Sequence, residues 1–287
     1  MTKVAILGAT SHIAKGLIFN YVQRPDRQLY LFARSVDRVS AFLKEISAPF
    51  GVFVAGIDQF GQNQYDVVIN CIGFGNPAML VKQPTAISSL TKQYDELIIS
   101  YLERTPGALY INFSSGAVYE PFESYGIAKL HSEIRHRELA NQNIVDLRVF
   151  GYFSRFIDLA AKYLLSEIIA CLLKGEEFLT DQIDVSRDYA HPEDLCALID
   201  KCIERQVLNE AIDVYSLKPV KKSEILDYFK EYYGLKVRQQ ERLSIVAPTG
   251  RKENYYSINK KAGELLGYLP MYSSLDCIKK ETKQIFA

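Results

Sequence analysis

The chain has 287 residues, enough for one large core or two modest ones. Its apolar share of 48% and charged share of 24% are those of an ordinary globular protein and exclude a disordered or fibrous chain. Thirty-four basic residues balance thirty-four acidic ones with no basic block, which argues against a nucleic-acid partner and favours a small molecule.

The N-terminus runs straight into a strand pattern at Lys3 to Leu7, so no signal peptide is expected. Short β-rich runs follow at Gln28 to Ala33, Gly51 to Ala55, Asp66 to Cys71, Ala108 to Phe113 and Ile144 to Val149. They alternate with helical patterns at Ile13 to Gln23, Val36 to Ile46, Thr85 to Arg104 and Ser124 to Asn141. This alternation predicts an α/β fold, a doubly wound parallel Rossmann sheet that binds its ligand at the carboxyl ends of the strands. Residues 1–150 are read as the dinucleotide-binding domain.

After Phe150 the pattern becomes irregular. Helices are expected at Arg155 to Lys174, Pro192 to Arg205, Ser223 to Tyr233, Asn259 to Leu266 and Ser274 to Phe286, with one short strand at Ile212 to Tyr215. Residues 151–287 are read as a smaller, mainly substrate-binding α/β part, with segments that can return to the Rossmann domain. Within the apolar run Phe156 to Leu173, Asp158, Lys162 and Ser166 recur every four residues, the mark of a core helix with one polar stripe and not of a membrane span. The five cysteines are odd in number and form no Cys-x-x-Cys pair, so buried thiols in a reducing, cytoplasmic setting are expected, with no zinc or other metal site.

Gly8-Ala9-Thr10-Ser11-His12-Ile13-Ala14 sits between the first strand and first helix, where free amides and the helix dipole can hold a pyrophosphate. Of the three fingerprint glycines only Gly8 is present; Ser11 takes the second place and Ala14 the third. The Ser11 side chain stands where backbone would approach phosphate, and its hydroxyl is itself a donor. An ordinary strand-to-helix turn capped by Thr10 or Ser11 fits the same residues. At the end of the second strand, Phe32-Ala33-Arg34-Ser35 has no carboxylate for a ribose diol. Arg34, with Ser35 or Arg38, suits a 2′-phosphate instead, which favours NADP (as NADPH) over NAD. The alternative is a solvated Arg34, or one stacked on adenine.

Tyr125 and Lys129 are four residues apart at the start of a predicted helix, so phenol and ammonium share one face. The ammonium favours a phenolate, as general acid and base chemistry requires. Ser115, ten residues earlier, ends the fifth strand and can hydrogen-bond a substrate oxygen beside that phenol. A turn cap at Ser115 and a half-buried tyrosine beside a surface lysine are the plain structural alternatives.

Together these residues resemble the extended short-chain dehydrogenase/reductases of the nucleotide-sugar epimerase/dehydratase family, over nearly the whole chain. Ser114-Ser-Gly-Ala-Val-Tyr119 is similar to the family's serine motif, which implies Ser115 as the catalytic hydroxyl and Tyr119 beside the substrate. Asp66 to Gly73 resembles the fourth strand, implying Cys71, Ile72 and Gly73 along the cofactor; Asp58 matches the adenine contact. Leu147 to Gly151 resembles the sixth-strand motif and implies Phe150 near the nicotinamide. Ser186 to Leu195 resembles the Arg-Asp-aromatic-x-His motif, implying Arg187 at the substrate phosphates, and Lys260 to Pro270 is similar to the terminal helix and turn. Family dehydratases carry an Asp-Glu pair after the catalytic hydroxyl, whereas Gly116-Ala117 follows here.

The expected function is NADPH-dependent reduction of a nucleotide-activated keto-sugar. A nucleotide-sugar epimerase with tightly held NAD(P) is the alternative, and a non-catalytic dinucleotide sensor is the alternative of another class. The resemblance also implies a homodimer through the helices at Thr85 and Ser124.

Overall fold

The computed structural model describes residues 1–73, 84–205, 208–240 and 252–287. The first half alternates β1 (Thr2–Leu7), α1 (His12–Tyr21), β2 (Arg27–Phe32), α2 (Val36–Glu45), β3 (Phe53–Ala55), β4 (Val67–Asn70), α3 (Pro84–Arg104), β5 (Leu109–Ser115), α4 (Ser124–Glu138) and β6 (Asn143–Val149). Then come α5 (Leu164–Lys174), β7 (Phe178–Thr180), β8 (Ser186–Arg187), α6 (Pro192–Glu204), β9 (Asn209–Val214), β10 (Val220–Lys221) and α7 (Lys222–Tyr233). The described chain closes with β11 (Val237–Gln239), β12 (Asn254–Tyr255), α8 (Lys261–Leu266) and α9 (Ser274–Ile285).

Seven parallel strands form the central sheet in the order β3-β2-β1-β4-β5-β6-β9. Strands such as Val67–Asn70 are buried throughout, because helices cover both faces. Val4 and Ile6 point into one core with Leu17 and Tyr21 of α1, Phe42 of α2 and Leu195 and Ile199 of α6. Ala5 and Leu7 point the other way, onto Tyr110 and onto Ile98 and Tyr101 of α3. A third cluster, with Phe153, Ile168, Phe178, Phe229 and Ile278, is the core of the second half. Each such side chain contributes about 1.5–3 kcal/mol by leaving water.

Two expectations for the second half need correction. The strand read at Ile212 to Tyr215 begins at Asn209 and lies along β6 in the central sheet, from Ile144 opposite Asn209 to Val149 opposite Val214. The helix read from Arg155 starts only at Leu164. Asp158 accepts a turn hydrogen bond from the Ala160 amide at 2.9 Å, and the Ser166 hydroxyl bonds both the amide and the carbonyl of Tyr163, at 3.0 and 2.8 Å. These side chains satisfy local backbone and start the helix late, so Asp158 and Lys162 belong to no helical stripe.

Below the sheet's ligand edge lies a polar network that is buried apart from Arg137 at its rim. His136 Nδ1 of α4 donates to Asp146 of β6 at 2.9 Å, and its Nε2 lies 3.5 Å from Asp95 of α3. Tyr110 donates to Asp95 at 2.8 Å, while Asn112 and Arg137 donate to Asp146 at 2.7 and 2.8 Å. Burial alone would lower the His136 pKa, but the bonds to Asp146 and Asp95 outweigh it and hold the imidazole at about 9. Among the described residues, no helix is long and apolar enough to cross a membrane and no His, Cys, Asp or Glu cluster could hold a metal ion.

Candidate active site

The strand order reverses beside β1, where β2 leads one way and β4 the other, and the crevice at their carboxyl ends is a ligand site of the doubly wound fold. Gly8 closes β1 there with φ +76°, and a Cβ on it would lie 2.8 Å from the Cys71 carbonyl carbon and 2.9 Å from the Ile72 nitrogen. Backbone in that conformation and that close to β4 admits glycine alone. The turn then feeds α1, whose first intrahelical bond runs from the Lys15 amide to the Ser11 carbonyl. The amides of His12 and Ile13 precede that bond and face the end of the helix, a ready anion site.

The Ser11 hydroxyl accepts from the Ala14 amide at 3.3 Å and also bonds the Cys71 thiol. It is turned back as the helix cap, and the His12 and Ile13 amides ahead of Ala14 are left to a ligand. This geometry fits a dinucleotide pyrophosphate. Thr10 is half-buried in the turn; the His12 ring packs edge-on to Tyr152 with centroids 4.9 Å apart. Burial holds the His12 pKa down at about 4, so the imidazole is neutral and adds no charge to the crevice at pH 7.

Arg34 leaves β2 exposed, and the half-buried Ser35 is the N-cap of α2 without a side-chain capping bond. Asp58 is exposed on a short 3-10 turn and borders an open cleft of about 530 Å³ with Tyr94, Leu97 and Arg104 of α3. Cys71 is buried, Ile72 half-buried with its amide bonded to Asn70 at 3.0 Å, and Gly73 exposed.

Three elements build the second half of the site. β5 ends in Ser115, 4% exposed, whose hydroxyl accepts from the Ala117 amide at 3.2 Å and caps the 3-10 turn Gly116–Tyr119. α4 then brings Tyr125 and Lys129 on one face; the Lys129 ammonium is buried and donates to the Phe113 carbonyl, two residues before Ser115, at 2.7 Å. Phe150, at the end of β6, lies flat on Gly116, where any Cβ would run into its ring, and sits between the rings of Tyr119 and Tyr255 at 6.2 and 5.2 Å.

A strap of chain, residues 252–259, crosses this end of β5. Tyr255, on β12, places its phenol 3.0 Å from Ser115 Oγ and near Tyr125. Arg187 of β8 is bound to the strap: its guanidinium donates to the carbonyls of Lys252 and Glu253, at 2.9 and 3.2 Å. Tyr119 is half exposed, with its hydroxyl held by Asp213 at 2.9 Å, Arg148 at 3.1 Å and Asn259 at 3.3 Å; Ser257 donates to Asp213 at 2.6 Å. Tyr163 stands close enough to Tyr125 for the two phenols to influence each other. Sequence reading missed Tyr255 and Tyr163, because one lies on a two-residue strand and the other at a helix cap, and neither position carries a periodic signal.

Fold and crevice define a Rossmann-type protein with a glycine turn leading into α1, and with Ser115, α4 and the strap meeting at the end of β5. The sequence matches the model of the NAD dependent epimerase/dehydratase family over residues 55–216, more than half of the chain, and the protein belongs to that family, among the extended short-chain dehydrogenase/reductases. Comparison with curated protein sequences finds no significant match. Among solved structures, UDP-glucuronic acid 4-epimerase from Bacillus cereus, in complex with a fluorinated UDP-glucuronic acid and NAD, superimposes with TM-score 0.82 at 15% identity, covering 99% of both chains. UDP-glucose 4-epimerase from Thermotoga maritima with UDP-glucose gives TM-score 0.81 at 15% identity, covering 99% of this chain and 98% of that one. A dTDP-glucose 4,6-dehydratase from Streptomyces venezuelae with NAD gives 0.81 at 14%, covering 98% and 96%. At these identities the likeness is one of fold.

Proposed function

We propose that the protein is an NADPH-dependent reductase of a nucleotide-activated keto-sugar. The observation that supports this reading is Lys129, buried one turn after Tyr125 on α4 and bonded to the Phe113 carbonyl two residues before Ser115, on the strand edge that also carries the Gly8 turn and the first turn of α1. A bound nicotinamide would supply the hydride. Ser115 would hydrogen-bond the substrate carbonyl oxygen, Tyr125 would protonate it, and Lys129, fixed on the Phe113 carbonyl, would hold its charge beside the phenol and reach a ribose hydroxyl. The His12 and Ile13 amides would take the pyrophosphate, and Arg34 with Ser35 a 2′-phosphate. Asp58, Cys71, Ile72, Gly73 and Phe150 would line the cofactor, and Tyr119 and Arg187 the sugar nucleotide.

Gly116-Ala117 in place of an acid pair disfavours a dehydratase. The second reading is an epimerase that oxidises and re-reduces one carbon on a retained cofactor, and it draws on the family and on the epimerases among the similar structures. A homodimer fits either reading, with Leu97 of α3 and Ile127 and Ile134 of α4 exposed on the helices that would pair. Following NADPH absorbance with a panel of 4-keto-6-deoxy nucleotide sugars tests the lead reading. Consumption matched by hydroxyl product is expected. Isomerisation without net consumption transfers the case to the epimerase, and bound dinucleotide with no conversion of any sugar leaves a sensor.

A further inference from the structure

Tyr255 is the one phenol in hydrogen-bond contact with Ser115 among the described residues, and its place is fixed from several sides. β12 pairs with β8, setting Tyr255 opposite Arg187. Arg187 clamps the two carbonyls that precede β12, the Lys252 ammonium lies 5.4 Å over the Tyr255 ring and pairs with Glu120 at 2.9 Å, and the Phe150 ring packs on its other flank. Only 9% of the residue is exposed. A buried phenol usually finds a hydrogen-bond partner, and the partner here is Ser115.

A serine hydroxyl has one proton to give and two lone pairs to receive with. The Ala117 amide fills one lone pair of Ser115. The Tyr255 phenol oxygen lies 3.0 Å from Ser115 Oγ, within reach of its second lone pair. With the phenol donating, both acceptor positions of the serine are occupied and its proton is left for a third partner. We infer that Tyr255 is a positioning residue: by donating to Ser115 it fixes that hydroxyl as a donor to the substrate's carbonyl oxygen. The inference rests on the reading of Ser115 and Tyr125 as the reacting pair. In the reverse arrangement Ser115 would spend its proton on Tyr255 and have none for substrate, so removing the phenol oxygen frees the rotor and weakens the bond that matters in the transition state.

The test is a double-mutant cycle on NADPH-dependent keto-sugar reduction with Tyr255→Phe, Ser115→Ala and the double variant. Tyr255→Phe is expected to lower kcat about ten-fold with KM for the sugar and the affinity for NADPH unchanged. In the Ser115→Ala background the same change is expected to cost nothing more, because its effect passes through the serine. A full rate in Tyr255→Phe, equal losses in both backgrounds, or a loss confined to KM overturns the role of Tyr255 while leaving the enzyme reading intact. A wild-type protein that reduces none of the sugars overturns the functional reading, and this inference with it.

Discussion

Tyr125→Phe is expected to reduce turnover by about a thousand-fold, within the range that a positioned general acid supplies, and to leave dinucleotide binding unchanged. The phenol oxygen is the sole group the change removes, and the anion site at Gly8, His12 and Ile13 belongs to other elements. Tyr163 and Tyr255 lie near Tyr125 on other segments, and the Tyr255 hydroxyl is engaged with Ser115. Single-turnover rates measured beside NADPH titrations by fluorescence separate the two effects. Loss of cofactor affinity in proportion to rate would assign Tyr125 to binding, and an undiminished rate would remove it from the chemistry.

The largest effect on stability is expected at His136. Replacing it with Ala leaves Asp95 buried without a cation and Asp146 with Arg137 alone, and breaking a buried ion pair from one side costs about 3–5 kcal/mol. The group also makes stability depend on pH. Its pKa is about 9 in the folded protein against 6.5 for a free imidazole, so the folded state binds the proton more tightly than the unfolded one. The stabilisation is complete below pH 6.5 and is lost as pH rises through 9. Urea midpoints of the wild type are therefore expected to fall across that window, and those of His136→Ala to start lower and respond less. Equal slopes for the two proteins would show that the imidazole does not carry the proton.

Much of this was legible from residue order. The alternation of Val4 to Leu7, Gln28 to Ala33 and Asp66 to Cys71 with helical patterns predicts the parallel sheet because strands buried on both faces are mostly apolar, as the central residues of these are. Sequence gives no signal of which sheet the short apolar run at Ile212 joins; its neighbour β6 lies about sixty residues away, and only the register from Ile144 opposite Asn209 to Val149 opposite Val214 places it among the segments that return to the Rossmann sheet. The late start of α5 was hidden for a different reason. Asp158 and Ser166 look like a polar helical stripe, but their side chains bond local backbone, and that competition is invisible to periodicity.

The site divides in the same way. Tyr125 and Lys129 were readable because helix geometry turns a four-residue spacing into proximity, and Gly8 because a tight turn against β4 leaves no room for a Cβ. Arg187 was expected at substrate phosphates, and its guanidinium is engaged with the strap that carries Tyr255. Tyr255 is separated from Ser115 by 140 residues and meets it only through the pairing of β12 with β8, a contact no local rule predicts.

Transfer of a hydride to a sugar carbon beside Tyr125 is read by isotope labelling. NADPH deuterated on the transferring face of the nicotinamide is incubated with a nucleotide-activated keto-sugar, and the product is weighed by mass spectrometry. The account predicts a reduced sugar one deuterium heavier, formed by the wild type and at a rate about a thousand-fold lower by Tyr125→Phe. A product without the label, or no product from a protein saturated with the dinucleotide, would contradict it.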